Sequence, residues 1–206
     1  ELVHFPFKVS WHMPDDDTFM ENAPAILDQV RSIRAFAPKA KFRIDPISFD
    51  TPYTRPGRDP RDPRNRGLFA AAWCTVAMKY LALAAVDEAV FDVGPAYAAL
   101  AQKTFEQHAG RPLIDVKLAG TYPLAVDAFA VDADRQTVVW LANTTDQPQQ
   151  ALLNGLAAAS KAALQSIGAA TDPSARLKSR KVDIENGRLA VPLGPFEVCI
   201  VAIDRK

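Results

Sequence analysis

Several common chemistries need residues that this chain of 206 amino acids has in short supply. Its nine glycines form no phosphate-cradling Gly-rich loop, and no Gly-x-Ser-x-Gly elbow is present, which removes the nucleotide and serine-esterase readings. Three histidines and two cysteines show neither His-Glu-x-x-His nor Cys-x-x-Cys spacing, so no metal centre is expected and no cofactor is called for. Cys74 and Cys199 lie inside the apolar runs AAWCTVAM and FEVCIVAI, where a thiol behaves as a small hydrophobe. Buried free thiols fit a reducing compartment, so a cytoplasmic location is expected. Basic and acidic residues balance at 24 each, which argues against a nucleic acid or an anionic membrane as partner. No apolar run approaches the ~20 residues of a membrane-spanning helix, and no basic, apolar, then small-residue leader opens the chain. A soluble protein is expected.

What the chain does have is apolar content, 49% of residues, enough for one sizeable core or two smaller ones. It opens at Glu1 without a methionine and runs directly into LVHFPFKVSW, as though starting inside a strand of something longer. Leu2 to Trp11 is apolar or aromatic with few breaks, which predicts a strand covered on both faces. Thr18 and Glu21 have the spacing of a capping box, and Ile26, Val30, Ile33 and Ala37 continue at helical spacing to about Phe36. KFRIDPISF predicts a second strand, interrupted by Pro46. Thr51 to Gly67 is rich in proline and charge and predicts a long loop, with the RDPRDPRNR cluster reading as a solvated basic stretch. From Leu68 the run FAAAWCTVAMKYLALAA predicts a helix buried on most sides, EAVFDVG a third strand, and Ala96 to His108 another helix.

After Pro123 helical spacing gives way to short alternating segments separated by turn signals, among them Asn186-Gly187, a hairpin dipeptide of the primed-turn kind. The predicted class is therefore α/β plus all-β. Residues 1–120 read as the C-terminal portion of a (β/α)8 TIM barrel and 121–206 as an antiparallel β-sandwich, the arrangement of a barrel glycosidase's tail.

In a barrel the active face lies where the strands end. Those positions hold His12, Asp15, Asp16 and Asp17 after the first strand, Asp45, Ser48 and Asp50 after the second, and Asp92 after the third. Carboxylates and an imidazole gathered there supply acid, base and polarising groups for hydrolysis of a sugar-like substrate. The candidate catalytic residues are His12, Asp15, Asp16, Asp45 and Asp92. Trp11, Ser48 and Tyr53 are candidate substrate contacts, and Tyr97 is a further stacking surface. Competing structural roles exist for each: Asp15 to Asp17 as helix-capping residues, Asp45 as a buried paired carboxylate, Asp50 as a turn residue, Asp92 as a loop anchor. Trp73 and Trp140 read as core residues, and His108 as a cationic partner of a helix C-terminus.

The run from Trp11 to Glu21, WHMPDDDTFME, resembles the V-H-A-F-D-D-x-S-L-M-E stretch of D-apionate lactonase-like proteins. Arg31-Ser32-Ile33-Arg34 and Asp45-Pro46-Ile47-Ser48-Phe49 are similar to the helix and strand that follow in that family. Asp62-Pro63-Arg64, the run Gly67 to Trp73, and Lys79-Tyr80-Leu81 resemble its D-P-R-Q-x-S-L-F-G-A-A-W and L-K-Y-L. Tyr122-Pro123-Leu124 and Leu141 to Thr145 resemble parts of its terminal β domain. The resemblance implies a TIM-barrel domain related to glycoside hydrolases, a C-terminal β domain, and hydrolysis of a branched sugar-acid lactone. One departure stands out: where the family has Y-Y-E-T after the third strand, this chain has Phe91-Asp92-Val93-Gly94. The expected activity is hydrolysis of a carbohydrate-derived lactone or glycoside. The missing glutamate motivates the alternative of a non-catalytic carbohydrate-binding or assembly module. Either way, the expected partners are a small carbohydrate-derived substrate and an N-terminal segment or second chain that completes the barrel.

Overall fold

A computed structural model describes residues 2–9, 15–49, 63–94, 96–120, 122, 124–156 and 161–205. Three parallel strands, β1 (Leu2–Val9), β2 (Lys41–Phe49) and β3 (Glu88–Phe91), lie side by side in that order. Helices α1 (Asp16–Glu21), α2 (Ala25–Phe36) and α3 (Leu68–Leu83) connect them, with a 3-10 turn at Pro63–Arg66, and α4 (Tyr97–Glu106) follows. Both ladders carry an irregularity, between Phe5 and Phe7 on β1 and between Ile44 and Ile47 on β2, flanking the prolines that cannot donate a ladder hydrogen bond.

The single helix expected between the first two strands is two helices. Pro24 has no N–H and occupies the N-cap of α2, so the chain turns at residues 22–24 before helical pairing resumes. Thr18 is not the cap. Asp15 is, and its carboxylate accepts the Thr18 N–H at 2.7 Å.

One face of the parallel sheet is dry. Phe7, Val9, Phe42, Ile44 and Ile47 are buried in the same cluster as Ile26, Val30 and the apolar length of α3. Helix α3 is apolar all round, as a helix covered on several sides must be, with residues from Phe69 to Met78 buried. The other face is polar: His4 and Lys8 are exposed, and Arg43 bridges Asp45 at 2.7 Å and Glu88 at 3.0 Å.

The second half is antiparallel. Strands β4 (Leu113–Ile114), β5 (Val126–Ala133), β6 (Gln136–Asn143), β11 (Val198–Asp204), β8 (Ala162–Ile167) and β9 (Arg180–Val182) form a six-stranded sheet in the order β4-β5-β6-β11-β8-β9. β7 (Gln149–Leu153) and β10 (Leu189–Leu193) pair as a separate ribbon. The expected hairpin is present: Asn186 and Gly187 both have positive φ, 50° and 72°, and Glu185 and Arg188 exchange two hydrogen bonds of 2.9 Å.

Central strands β6 and β11 are apolar at consecutive positions because both their faces are covered. Val139, Leu141, Cys199 and Val201 point into the sandwich with Leu189, Val191 and Leu193. Val138, Trp140, Val198 and Ile200 point the other way, into the cluster that contains α3 and α4. Trp140 is the largest of these and fully buried. Its ring stacks on Phe129 at 4.9 Å and meets the edges of Phe105 and His108, while its Nε1–H donates to Thr104 Oγ1 at 3.1 Å.

His108 thus belongs to an aromatic junction and is not a charged helix terminator. Burial, and then the neighbouring Arg111 cation, hold its pKa below the ordinary histidine value. The unfolded chain therefore takes up a proton at His108 first as pH falls through ~6.5, and stability is lost from that point downward. Urea midpoints measured between pH 7.5 and 5.5 are expected to fall, and His108→Gln is expected to flatten that slope; equal slopes would remove His108 from the junction's titration.

Candidate functional site

The three strands are parallel, so the carboxyl ends of β1, β2 and β3 share one rim. Trp11, His12, Asp50 and Tyr53 lie outside the described residues. Asp15 is exposed and spends its carboxylate on the α1 N-terminus; the backbone N–H of Thr18, followed by its hydroxyl, holds the Asp15 pKa below the usual carboxylate value. Asp16 accepts an ion pair from Arg64 at 3.1 Å. Ser48, near the end of β2, is fully buried. Asp92 directly follows β3, where its backbone N–H donates to the Ile47 carbonyl at 2.9 Å. Its side chain is exposed and has no hydrogen-bond or ion-pair partner among the described residues.

Asp45 is not at the strand mouth. It lies in mid-strand on the polar face, gripped by Arg43 through Nε at 3.2 Å and Nη2 at 2.7 Å, and its backbone carbonyl accepts from His4 Nε2 at 3.1 Å. Arg43 sits two residues away, on the same side of a strand whose side chains alternate with period two. The sequence also carries that i, i+2 Arg-x-Asp spacing. No hydrogen bond or ion pair joins any of Asp15, Asp16, Asp45 and Asp92 to another, and among the described residues no three His, Cys, Asp or Glu side chains form a metal-binding group.

The residue that organises the rim is Arg64, which the basic-loop reading assigned to solvent. Its guanidinium lies 4.3 Å from the Phe19 ring centroid and 5.5 Å from that of Phe69, with only 21% of the side chain exposed. Flat and weakly hydrated, it can cover two aromatic rings while donating to a carboxylate, a combination lysine cannot supply. It therefore ties α1 to the start of α3. The sequence signal was an arginine five residues ahead of Phe69, in the first turn of an apolar helix. Next to it, Asn65 is buried and its side chain accepts the Gly94 N–H at 3.4 Å. A Cβ at position 94 would lie 1.9 Å from the Asn65 carbonyl oxygen, so close backbone approach requires glycine there. This contact clamps the turn at Pro63–Arg66 against the segment after β3 that carries Asp92.

A second unforeseen pair sits where the two halves meet. Lys79 of α3 and Asp127 of β5 form a short ion pair, with 16% and 14% of their side chains exposed. Asp127 also accepts the Ala128 N–H at 2.7 Å.

Neither cysteine is a nucleophile. Burial pushes the Cys74 thiol up to about 12, and burial with the adjacent Glu197 carboxylate does the same for Cys199. Iodoacetamide at pH 8 is expected to leave both unmodified in the native protein and to label both in urea; fast native labelling would refute that burial. Gly94→Ala is expected to cost about 1–3 kcal/mol, because backbone must move to admit the methyl. A urea melt measures the loss, and an unchanged midpoint would show that the turn yields freely.

Comparison with known proteins places this geometry. The family model described as D-apionate lactonase, TIM barrel domain, matches residues 1–125, and that of its C-terminal immunoglobulin-like domain matches residues 123–201. No curated protein matches the chain. Among solved structures, the GH51 arabinofuranosidase from Xanthomonas axonopodis pv. citri superposes with a TM-score of 0.68 at 11% identity, covering 98% of this chain and 52% of that one. An α-L-arabinofuranosidase from Thermotoga maritima gives 0.67 at 10% identity over 98% and 52% of the respective chains. CelM2, a bifunctional glucanase-xylanase from a metagenome library, gives 0.66 at 13% identity over 98% and 41%. The chain thus spans roughly half or less of the length of these glycoside hydrolases, and the likeness is one of fold. Three parallel strands of a TIM barrel leading directly into an antiparallel, immunoglobulin-like sandwich, matched by both family models in order, place this chain in the D-apionate lactonase family.

Proposed function

We propose that this chain forms part of a hydrolase that opens a carbohydrate-derived lactone. The observation that carries the reading is the ordered match of both lactonase domains across nearly all of its residues. In such a reaction water adds to the ester carbonyl carbon, the ring carbon–oxygen bond breaks, and a carboxylate and a free hydroxyl result. The step needs a group that takes the proton from water and returns it to the leaving oxygen. Asp92 suits this role best among the described carboxylates, because it is exposed at a strand end and unengaged. Asp15 and Asp16 act as positioning residues: one caps α1, and the other anchors it to Arg64. His12 would polarise or orient the carbonyl, and Trp11 and Tyr53 would offer faces for the sugar ring.

The polar face carrying His4, Lys8, Arg43, Asp45 and Glu88 supports a further element of the proposal. Parallel sheets are normally covered on both faces. Additional strands, from the same polypeptide or from a second chain, would close the barrel and turn this face inward. Asp45 would then act inside the barrel as the partner of Arg43 rather than at the reacting carbon.

The absence of the family's glutamate after β3 favours a second reading, a carbohydrate-binding or assembly module without turnover. Hydrolysis of sugar-acid lactones by the protein with its barrel complete separates the two. Asp92→Asn is expected to lower kcat by ~10²- to 10⁴-fold, the contribution of a general base, while the exposed Asp134→Asn leaves it unchanged. Full activity in Asp92→Asn would sink the role given to Asp92, and ligand binding with no hydrolysis by the unsubstituted protein would establish the second reading.

A further inference from the structure

A cavity of about 580 Å³ lies between α4 and the connection from β8 to β9. Along α4 it is lined at three- and four-residue spacing by one face of the helix, including Lys103, Thr104 and Gln107. Gln165 of β8 and, from the connection, Ser174 and Arg176 line it too. Its charge is one-sided. Two cations line it, and among the described residues no carboxylate does. Lys103 and Arg176 are both exposed, and neither has an ion pair among the described residues. The nearest acidic residue in sequence to Arg176, Asp172, is already engaged: it accepts both the N–H of Ser174 at 2.9 Å and its hydroxyl at 2.6 Å. The first turn of α4 adds to the same sign, because Ala96, its N-cap, lines the cavity and supplies no side-chain cap.

A concave space lined by two cations and by no described carboxylate favours an anion. The uncharged lining fits the rest of such a ligand. Gln107 and Gln165 offer amide donors and acceptors, which suit a chain of hydroxyl groups. The volume exceeds that of a monosaccharide, so a small hydroxylated ligand would enter together with water, and it lies within the range of ordinary small-molecule sites.

We infer that this interdomain cavity is a binding site for a small hydroxylated carboxylate, held by Lys103 and Arg176 through its charge and by the glutamines through its hydroxyls. The preference for an anion stands on the cavity alone. The identification as a hydroxy-acid rests on the proposed lactone chemistry, whose product has that composition, so the site would sense or retain product outside the reaction centre.

The test is equilibrium titration of the full chain by calorimetry, which needs no turnover and so is read independently of any hydrolysis assay. The probes are D-gluconate, its uncharged counterpart D-glucitol, and inorganic phosphate. D-Gluconate is expected to bind and D-glucitol to give no signal at the same concentration. Lys103→Ala and Arg176→Ala are each expected to weaken gluconate at least tenfold, as is a rise in salt, whereas Arg176→Lys retains most of the affinity. Both positions are exposed, so the variants keep the fold, which circular dichroism verifies. Equal affinity of the two alanine variants and the unsubstituted protein would place any gluconate elsewhere and overturn the site. Binding of D-glucitol as tight as that of D-gluconate would overturn the charge argument. Phosphate binding that depends on both cations, with no gluconate binding, would overturn the hydroxy-acid assignment.

Discussion

Burial of the six-stranded sheet on both faces is the constraint on which the rest of this structure depends. An immunoglobulin-like sandwich usually covers one face of each sheet with the other sheet. Here the ribbon of β7 and β10 covers one face, while α3 and α4 cover the opposite one. Trp140 holds that second contact through stacking on Phe129 and a hydrogen bond to α4. An indole buried without a partner for its N–H is costly, so Thr104 fixes the position of α4 as well as filling space. The α/β and β halves consequently share one core cluster.

That shared core bears on the rim through α3. Its carboxyl-terminal half carries Lys79 to the β5 carboxylate, and its first turn carries Phe69, which meets Phe196 of the sandwich at 5.3 Å and Phe19 of α1 at 5.5 Å. Arg64 covers the Phe19 and Phe69 pair from outside and reaches Asp16. A chain of packed rings therefore runs from the β domain to the segment after β1. Asp15 and Asp16 are committed to that framework, which is why carboxylates with suitable spacing need not be the reacting ones. Position and availability are what favour Asp92 in the proposed reaction.

The elements themselves were legible because their signals are local. Alternation marks the antiparallel strands, a wholly apolar run marks α3, and Asn186-Gly187 marks its turn through the left-handed backbone both residues adopt. The break between α1 and α2 was legible too, at Pro24, but a capping-box match at Thr18 and Glu21 obscured it. The site was harder to read because its assignments are relations between distant residues. Whether Asp16 is a base or an anchor depends on an arginine 48 positions later. Arg64 itself sits in a segment whose composition resembles solvated loops, and only the aromatic rings from two other helices give it a buried role. Asp45 carried two readings, strand mouth or paired carboxylate, and its mid-strand place beside Arg43 realises the second, a pairing already present in the i, i+2 spacing.

The same logic separates the two polar regions beyond the rim. On the open face of the parallel sheet, charges of both signs meet: Arg43 satisfies Asp45 and Glu88 across adjacent strands. Such a network pairs its charges internally and suits a surface that the proposed barrel closure would cover, since a covered charge must be paired. Along α4 and the β8 to β9 connection, charge of one sign remains uncompensated. Packing protein onto that surface without a carboxylate would bury two cations at several kcal/mol each, whereas a dissolved anion can enter and leave while the cations stay partly hydrated. Internal pairing therefore suits the barrel closure proposed above, and its absence suits the inferred small ligand.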